Sequence, residues 1–151
     1  MQTNRADVGI DRTKLRWNGW GWIDAPSMLG DRTEEVWQWV GRTLAVDPLP
    51  NTPAKPLSEV ALPPIRLSED VLRQLAEIVS PDRVKTDAYE RIFHARGRSY
   101  PDMLQLRSGH IDPAPDAVVY PANTEETLAV VRFAAEHRIA LVPFGGGSSV
   151  V

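Results

Sequence analysis

Apolar positions recur at helical spacing in three stretches. Val71, Leu72, Leu75, Ile78 and Val79 form one face of a helix over Glu69–Val79, capped by Ser68 and stopped by Ser80-Pro81. Trp37, Val40 and Leu44 share a face over Glu34–Leu44, with Thr33 as the cap and Glu34 and Glu35 favoured by the helix dipole in the first turn. Asn123–Arg138 opens with Asn and Thr caps and lines Leu128, Val131 and Ala135 along one side. Shorter signals lie between. Val84 reads as a brief extended piece, and Tyr89, Ile92 and Phe93 mark a helical turn or two ending near Gly97. Ser99 and Pro101 open a short helix toward Leu106 that Gly109 closes.

The last forty residues change period. "PDAVVYP" (Pro115–Pro121) is a short β-branched run bounded by prolines, as a buried strand would be, and "IALVPF" (Ile139–Phe144) is a second apolar run. Strand, helix and strand with short connections predict a βαβ unit with parallel strands and a right-handed crossover. The fold class expected is therefore α+β. A helical and irregular region, residues 1–114, leads into an incomplete α/β domain, residues 115–151.

The amino-terminal region alternates order and irregularity. Residues 1–16 read as a polar lead-in. "LRWNGWGWID" (Leu15–Asp24) is punctuated by Gly19 and Gly21 and reads as an irregular hook. All five tryptophans lie in the first quarter of the chain, and they are expected to anchor this end to a core. Six prolines between Pro48 and Pro64 make Asp47–Pro64 an extended connector, because proline lacks an amide donor and biases its neighbour away from the helix.

Composition narrows the function classes. With 151 residues, 42% apolar and 25% charged, the chain can bury a core. A net charge of −3 gives no bulk attraction to nucleic acid or an anionic membrane. The absence of cysteine excludes disulfides, thiolate metal sites, a cysteine nucleophile and a cysteinyl cofactor link. No apolar run approaches the ~20 residues of a membrane helix. The amino end has no secretory h-region, so the cytoplasm is the default compartment. His110 and His137 have no carboxylate partner at metal-ligand spacing, and no metal site is expected.

The sharpest chemical signal is "VPFGGGSSVV" (Val142–Val151), at the carboxyl end of the second expected strand. Open α/β sheets place their ligands there. Three consecutive glycines are entropically costly to order. They make either a tight turn or a backbone approach to phosphate, with successive amides forming an anion nest. Ser148 and Ser149 add hydroxyl donors and favour the second reading. No lysine follows Gly147, so this is not a Walker loop, and Val150 replaces the last glycine of a Rossmann fingerprint.

Set beside known families, Pro115–Val151 resembles the opening of the FAD-binding domain of the vanillyl-alcohol oxidase type, the PCMH-type flavoproteins. In that family a Pro-x-Gly-Gly-Gly-Ser/Thr-Ser loop wraps the FAD pyrophosphate. The amino half is similar to that of alkylglycerone-phosphate synthase and its bacterial FAD-linked oxidase relatives. Trp17-Asn18-Gly19-Trp20-Gly21 and His94-Ala95-Arg96-Gly97 match two segments of that branch in order. The resemblance implies that Pro143, Gly145, Gly146, Gly147, Ser148, Ser149 and Val150 hold the FAD diphosphate. Relatives with covalent flavin carry a loop histidine that is missing here, which implies non-covalent FAD. It also implies that further strands and a substrate domain complete the enzyme, so the chain reads as its amino-terminal part, from an interrupted frame or a split protein. Its partner would be the separately encoded remainder, and alone it would be inactive. The whole would be an FAD-dependent oxidoreductase or an alkylglycerone-phosphate synthase-like transferase. The alternatives are part of an FAD-linked 2-hydroxy-acid dehydrogenase, or a non-catalytic interaction fragment. His94 is expected to be a packed or capping histidine, and Arg96, Arg98 and Arg107 to be solvated.

Overall fold

A computed structural model describes residues 14–46, 48–49 and 53–147. The chain packs as two compact units, Met1–Pro53 and Ala54–Val151. The division expected at residue 114 marks where the flavin-type sequence begins and falls inside the second unit.

In the first unit, Asn18-Gly19 turns the chain so that Leu15 bridges Trp22 in antiparallel fashion. The Arg16 amide donates to the Gly21 carbonyl (3.0 Å) and the Ile23 amide to Lys14 (2.8 Å). The Arg16 guanidinium closes the hook on the carbonyls of Trp22 and Ala25. Helix α1, Thr33–Leu44, follows a 3-10 turn at Gly30–Arg32. Thr33 is its first residue and not its cap: the hydroxyl turns back to the Gly30 carbonyl (2.7 Å), and Arg32 holds the cap position with no side-chain bond. The expected anchoring is not seen at four of the five tryptophans: Trp20, Trp22, Trp37 and Trp39 are exposed, as is Leu44, and Trp17 is half-buried. The apolar face of α1 is covered only in part: Val40 is half-buried, and Leu49 packs near the buried Gly41.

The second unit holds the core. Helix α2 is Glu69–Val79, with the Ser68 side chain accepting from the Val71 amide as expected. It packs on α5, Thr124–Glu136, capped by Asn123. Leu75, Val79, Val130 and Phe133 form the buried centre, with Val84, Val119 and Ile139 packed against it. Strand β1, Val84–Lys85, pairs antiparallel with β2, Val118–Val119, in the register Val84 to Val119. Between these strands lie α3, Ala88–Phe93, and α4, Tyr100–Ser108. Ser99 and Asp102 form a complete capping box on α4, and Gly109 ends it in the left-handed region (φ 72°). Ile92, Leu106 and Ile111 are fully buried beside these helices.

The βαβ expectation holds at its first strand and its helix. The second run, Ile139–Phe144, forms no ladder among the described residues. β2 pairs instead with β1, and the Tyr120 amide extends that pairing by donating to the Arg83 carbonyl (3.0 Å). Ile139 turns inward and its amide returns to Ala134 (2.8 Å), which draws the start of the run onto the end of α5, whereas Leu141, Val142 and Phe144 are exposed. The architecture is thus helices around a small two-stranded sheet.

Candidate cofactor site

The glycine loop is reached through α5. The helix ends on His137, and Arg138 takes the left-handed conformation (φ 55°). Ile139 docks in the core, and the chain then runs to Pro143, Phe144, Gly145, Gly146 and Gly147. Ser148, Ser149 and Val150 lie outside the described residues. Of the expected cofactor-binding residues, Pro143, Gly145 and Gly146 are exposed and Gly147 is half-buried.

Two features mark this backbone. No backbone hydrogen bond to another described residue engages the amides of residues 140–142 and 144–147. A side chain at Gly145 would enter open space. Gly147 is constrained twice. Its φ of 65° is one that side-chain-bearing residues rarely adopt, and a Cβ there would meet the Phe144 Cζ at 2.7 Å.

The seat of the loop is aromatic and polar. The Phe144 ring lies edge-on to His94 with centroids 4.4 Å apart, and 6.4 Å from Phe93. His94 is held at Nδ1 and flanked at Nε2. Its Nδ1 donates to the Glu90 carbonyl (2.7 Å), an assignment that follows because a carbonyl only accepts. Its Nε2 lies 3.2 Å from the Tyr120 hydroxyl, which reaches Glu90 Oε2 at 2.5 Å. The His94 side chain is 6% exposed. The expected packed histidine is thus what the structure holds. The sequence did not reveal that its neighbour would be the residue leading the glycine loop.

The arginines correct an expectation. Arg98 is buried, stacks 5.2 Å above the Phe93 ring and donates to the Gly97 carbonyl. Burial pushes its pKa down, with Asp102 and Tyr89 acting in the opposite direction. Arg96 is half-buried and spends its guanidinium on the Gln105 side chain and the carbonyls of Ala95, Asp112 and Pro113. Arg107 is exposed, as expected. Arg91 was missed by sequence reasoning. It is buried and joins two distant segments, donating to Pro63 and Pro115 carbonyls at 2.7 Å each. Polar carbonyls that cannot join a ladder need such a donor, but nothing in the local sequence marks which arginine supplies it.

A surface hollow of about 360 Å³ lies at the amino end of α5, lined by Pro121, Ala122, Asn123, Thr124 and Thr127. It is a poor anion site. Asn123 already accepts from the Glu126 amide, and the Glu126 carboxylate takes the Ala122 amide (2.7 Å) and pairs with Arg83 (3.3 Å). His137 stacks on Phe133 (4.0 Å), and the described residues contain no group of three metal-ligating side chains. Among the described residues no helix is long and apolar enough to cross a membrane.

Comparison with known proteins defines the class. Residues 115–151 match the family described as "FAD binding domain". The chain is 37% identical over 89 residues to the alkyldihydroxyacetonephosphate synthase of Trypanosoma brucei brucei, covering 59% of this chain and 14% of that protein. It is 37% identical over 76 residues to the D-2-hydroxyglutarate dehydrogenase of Stutzerimonas stutzeri, covering 50% of this chain and 14% of that protein. Protein Rv2250A of Mycobacterium tuberculosis is 31% identical over 109 residues, which cover 72% of this chain and 70% of that one. A solved alkyldihydroxyacetonephosphate synthase superposes with a TM-score of 0.76 at 28% identity, covering 95% of this chain and 30% of the other.

These findings place the chain among FAD-binding flavoproteins. More particularly, it belongs to the family of FAD-linked oxidases that includes the alkyldihydroxyacetonephosphate synthases (alkylglycerone-phosphate synthases), and FAD is the cofactor of that family. The chain spans less than a third of the synthases it matches.

Proposed function

We propose that this chain contributes the diphosphate-binding loop of a larger FAD-dependent enzyme, with Pro143, Gly145, Gly146, Gly147, Ser148, Ser149 and Val150 as the contact residues. The observation that carries the reading is the glycine run itself: amides with no backbone hydrogen bond to another described residue, one Cβ-free opening at Gly145 and a left-handed backbone at Gly147. Serine hydroxyls would complete the donor set. When bound, the flavin supplies the redox chemistry, while the loop binds and orients the phosphates. The loop has no histidine and the chain no cysteine, so neither offers the flavin a covalent link of those kinds, which supports non-covalent FAD.

The remainder of the flavin domain and the substrate domain come from a further polypeptide segment, continuous with this chain or separately encoded. Its sheet gives Ile139–Phe144 the hydrogen-bonding neighbour it lacks here, completing the βαβ arrangement. The Trp17–Gly21 segment and the extent of the structural likeness favour a synthase-like enzyme. A second reading, part of an FAD-linked 2-hydroxy-acid dehydrogenase, is favoured by the dehydrogenase relative at the same identity over a shorter stretch. By itself the chain is inactive, since one phosphate loop cannot enclose an isoalloxazine ring.

Glycine-selective ¹⁵N NMR of residues 1–151 tests the loop without needing the ring pocket. Adding FAD should shift the Gly145, Gly146 and Gly147 amides, and riboflavin, which lacks phosphate, should leave them in place. Equal shifts with both compounds, or none with FAD, would overturn the reading.

A further inference from the structure

Phe144 connects two features that the phosphate-loop reading leaves separate. On one side its ring meets the buried His94. On the other, the tip of the ring lies against Gly147, so closely that a Cβ at that position would meet Cζ at 2.7 Å. His94 cannot turn freely. The Glu90 carbonyl holds Nδ1, and the Tyr120 hydroxyl, itself bonded to the Glu90 carboxylate, faces Nε2. The elements involved are α3 and the segment after β2, both fixed by the core.

The geometry points to His94 as the positioning residue of the glycine loop: oriented by Glu90 and Tyr120, it sets the Phe144 ring, and the ring sets the backbone of Gly147. The physical case is one of preorganisation. Three glycines in a row have wide conformational freedom, and ordering them on ligand binding would cost affinity. A rigid aromatic pedestal removes part of that cost before the ligand arrives. His94 suits the task better than an aliphatic residue, because the hydrogen bond from Nδ1 to the Glu90 carbonyl, with the Tyr120 hydroxyl packed at Nε2, fixes its ring plane, and its edge-on contact with Phe144 has a preferred geometry. This role rests on the proposed phosphate function for its use. The seat itself is a claim about the folded chain alone.

The experiment uses the same glycine-labelled chain, residues 1–151. The tip of a phenyl ring against Gly147 displaces its Hα resonances by ring current. We expect that displacement in the wild-type chain and its reduction in three variants: His94→Ala, which removes the contact; Tyr120→Phe, which removes the hydroxyl that packs at Nε2 while keeping the ring volume; and Phe144→Leu, which removes the pedestal. The Gly109 resonance, at the α4 cap, reports whether the rest of the unit remains folded and should not move. A His94→Ala chain that loses the Gly109 signal has unfolded, and Tyr120→Phe then decides. Wild-type Gly147 shifts in a folded Tyr120→Phe chain overturn the proposal. With FAD present, His94→Ala and Phe144→Leu should weaken the FAD-induced glycine shifts between about two- and tenfold. Absence of any FAD response in the wild-type chain refutes the phosphate reading and leaves the ring-current result to judge the seat.

Discussion

Arg91 shows how much one side chain can carry. Its two charge-assisted bonds tie the proline connector at Pro63 to the residue that opens the flavin-type segment, Pro115. Arg91→Met keeps the stem volume and leaves the half-buried Pro63 and Pro115 carbonyls without this donor. It should lower unfolding stability by about 3 kcal/mol, read from urea denaturation. Asp70 makes the opposite kind of prediction. Its side-chain bond from Arg73, and then that from Gln74, hold its pKa below the ordinary 3.8 although the carboxylate is fully exposed. A depressed acid stabilises the fold above its unfolded value and loses that contribution as pH falls through its folded value. The stability difference between wild type and Asp70→Asn should therefore be constant above pH 3.8 and shrink below it. Residue types gave poor guidance for arginine. Whether a guanidinium faces water or a carbonyl depends on chain segments far apart in sequence, as Arg91, Arg96 and Arg98 each show.

At the scale of elements, helices with polar caps were legible and strand partners were not. Ser68, Ser99 and Asn123 each accept from an amide three residues on, where the sequence places them. Ser99→Ala removes the hydroxyl half of the α4 capping box, leaving the Ser99 amide on Asp102, and should cost about 1 kcal/mol in thermal unfolding. Leu75 sits where α2 meets α5, and Leu75→Ala should cost about 3 kcal/mol by the same assay, through lost burial and the cavity left behind. Strand pairing is different because β-branched runs announce a strand without naming its neighbour. Val118–Val119 chose Val84–Lys85, a two-residue piece whose own sequence signal was a single valine. Thr33 likewise has the right chemistry for a cap, but the preceding 3-10 turn draws its hydroxyl to Gly30.

At the scale of the whole molecule, exposed apolar side chains gather in the tryptophan hook and α1, on Tyr100 and Leu104 of α4, on Leu128 and Val131 of α5, and from Leu141 to Phe144 ahead of the glycines. Periodicity revealed the apolar faces of α1 and α5 and not which of them is buried: α5 packs through Val130, Phe133 and Ala134, while Leu128 and Val131 face outward. The glycine loop was the most legible part of the candidate site, because its residue types are costly without a ligand to justify them. Its aromatic seat was hidden, since His94 and Phe144 lie fifty residues apart.

The central claim is that the glycine run holds FAD through its diphosphate. Its most direct test is flavin retention. Residues 1–151 should be co-produced with the polypeptide encoded immediately downstream, purified through a tag on residues 1–151, and examined for flavin absorption, alongside the Gly147→Val variant. A flavin spectrum in the wild-type sample that vanishes in Gly147→Val, with both chains still co-purifying, is the predicted result. Co-purification without flavin, or the same flavin content in both samples, would contradict it.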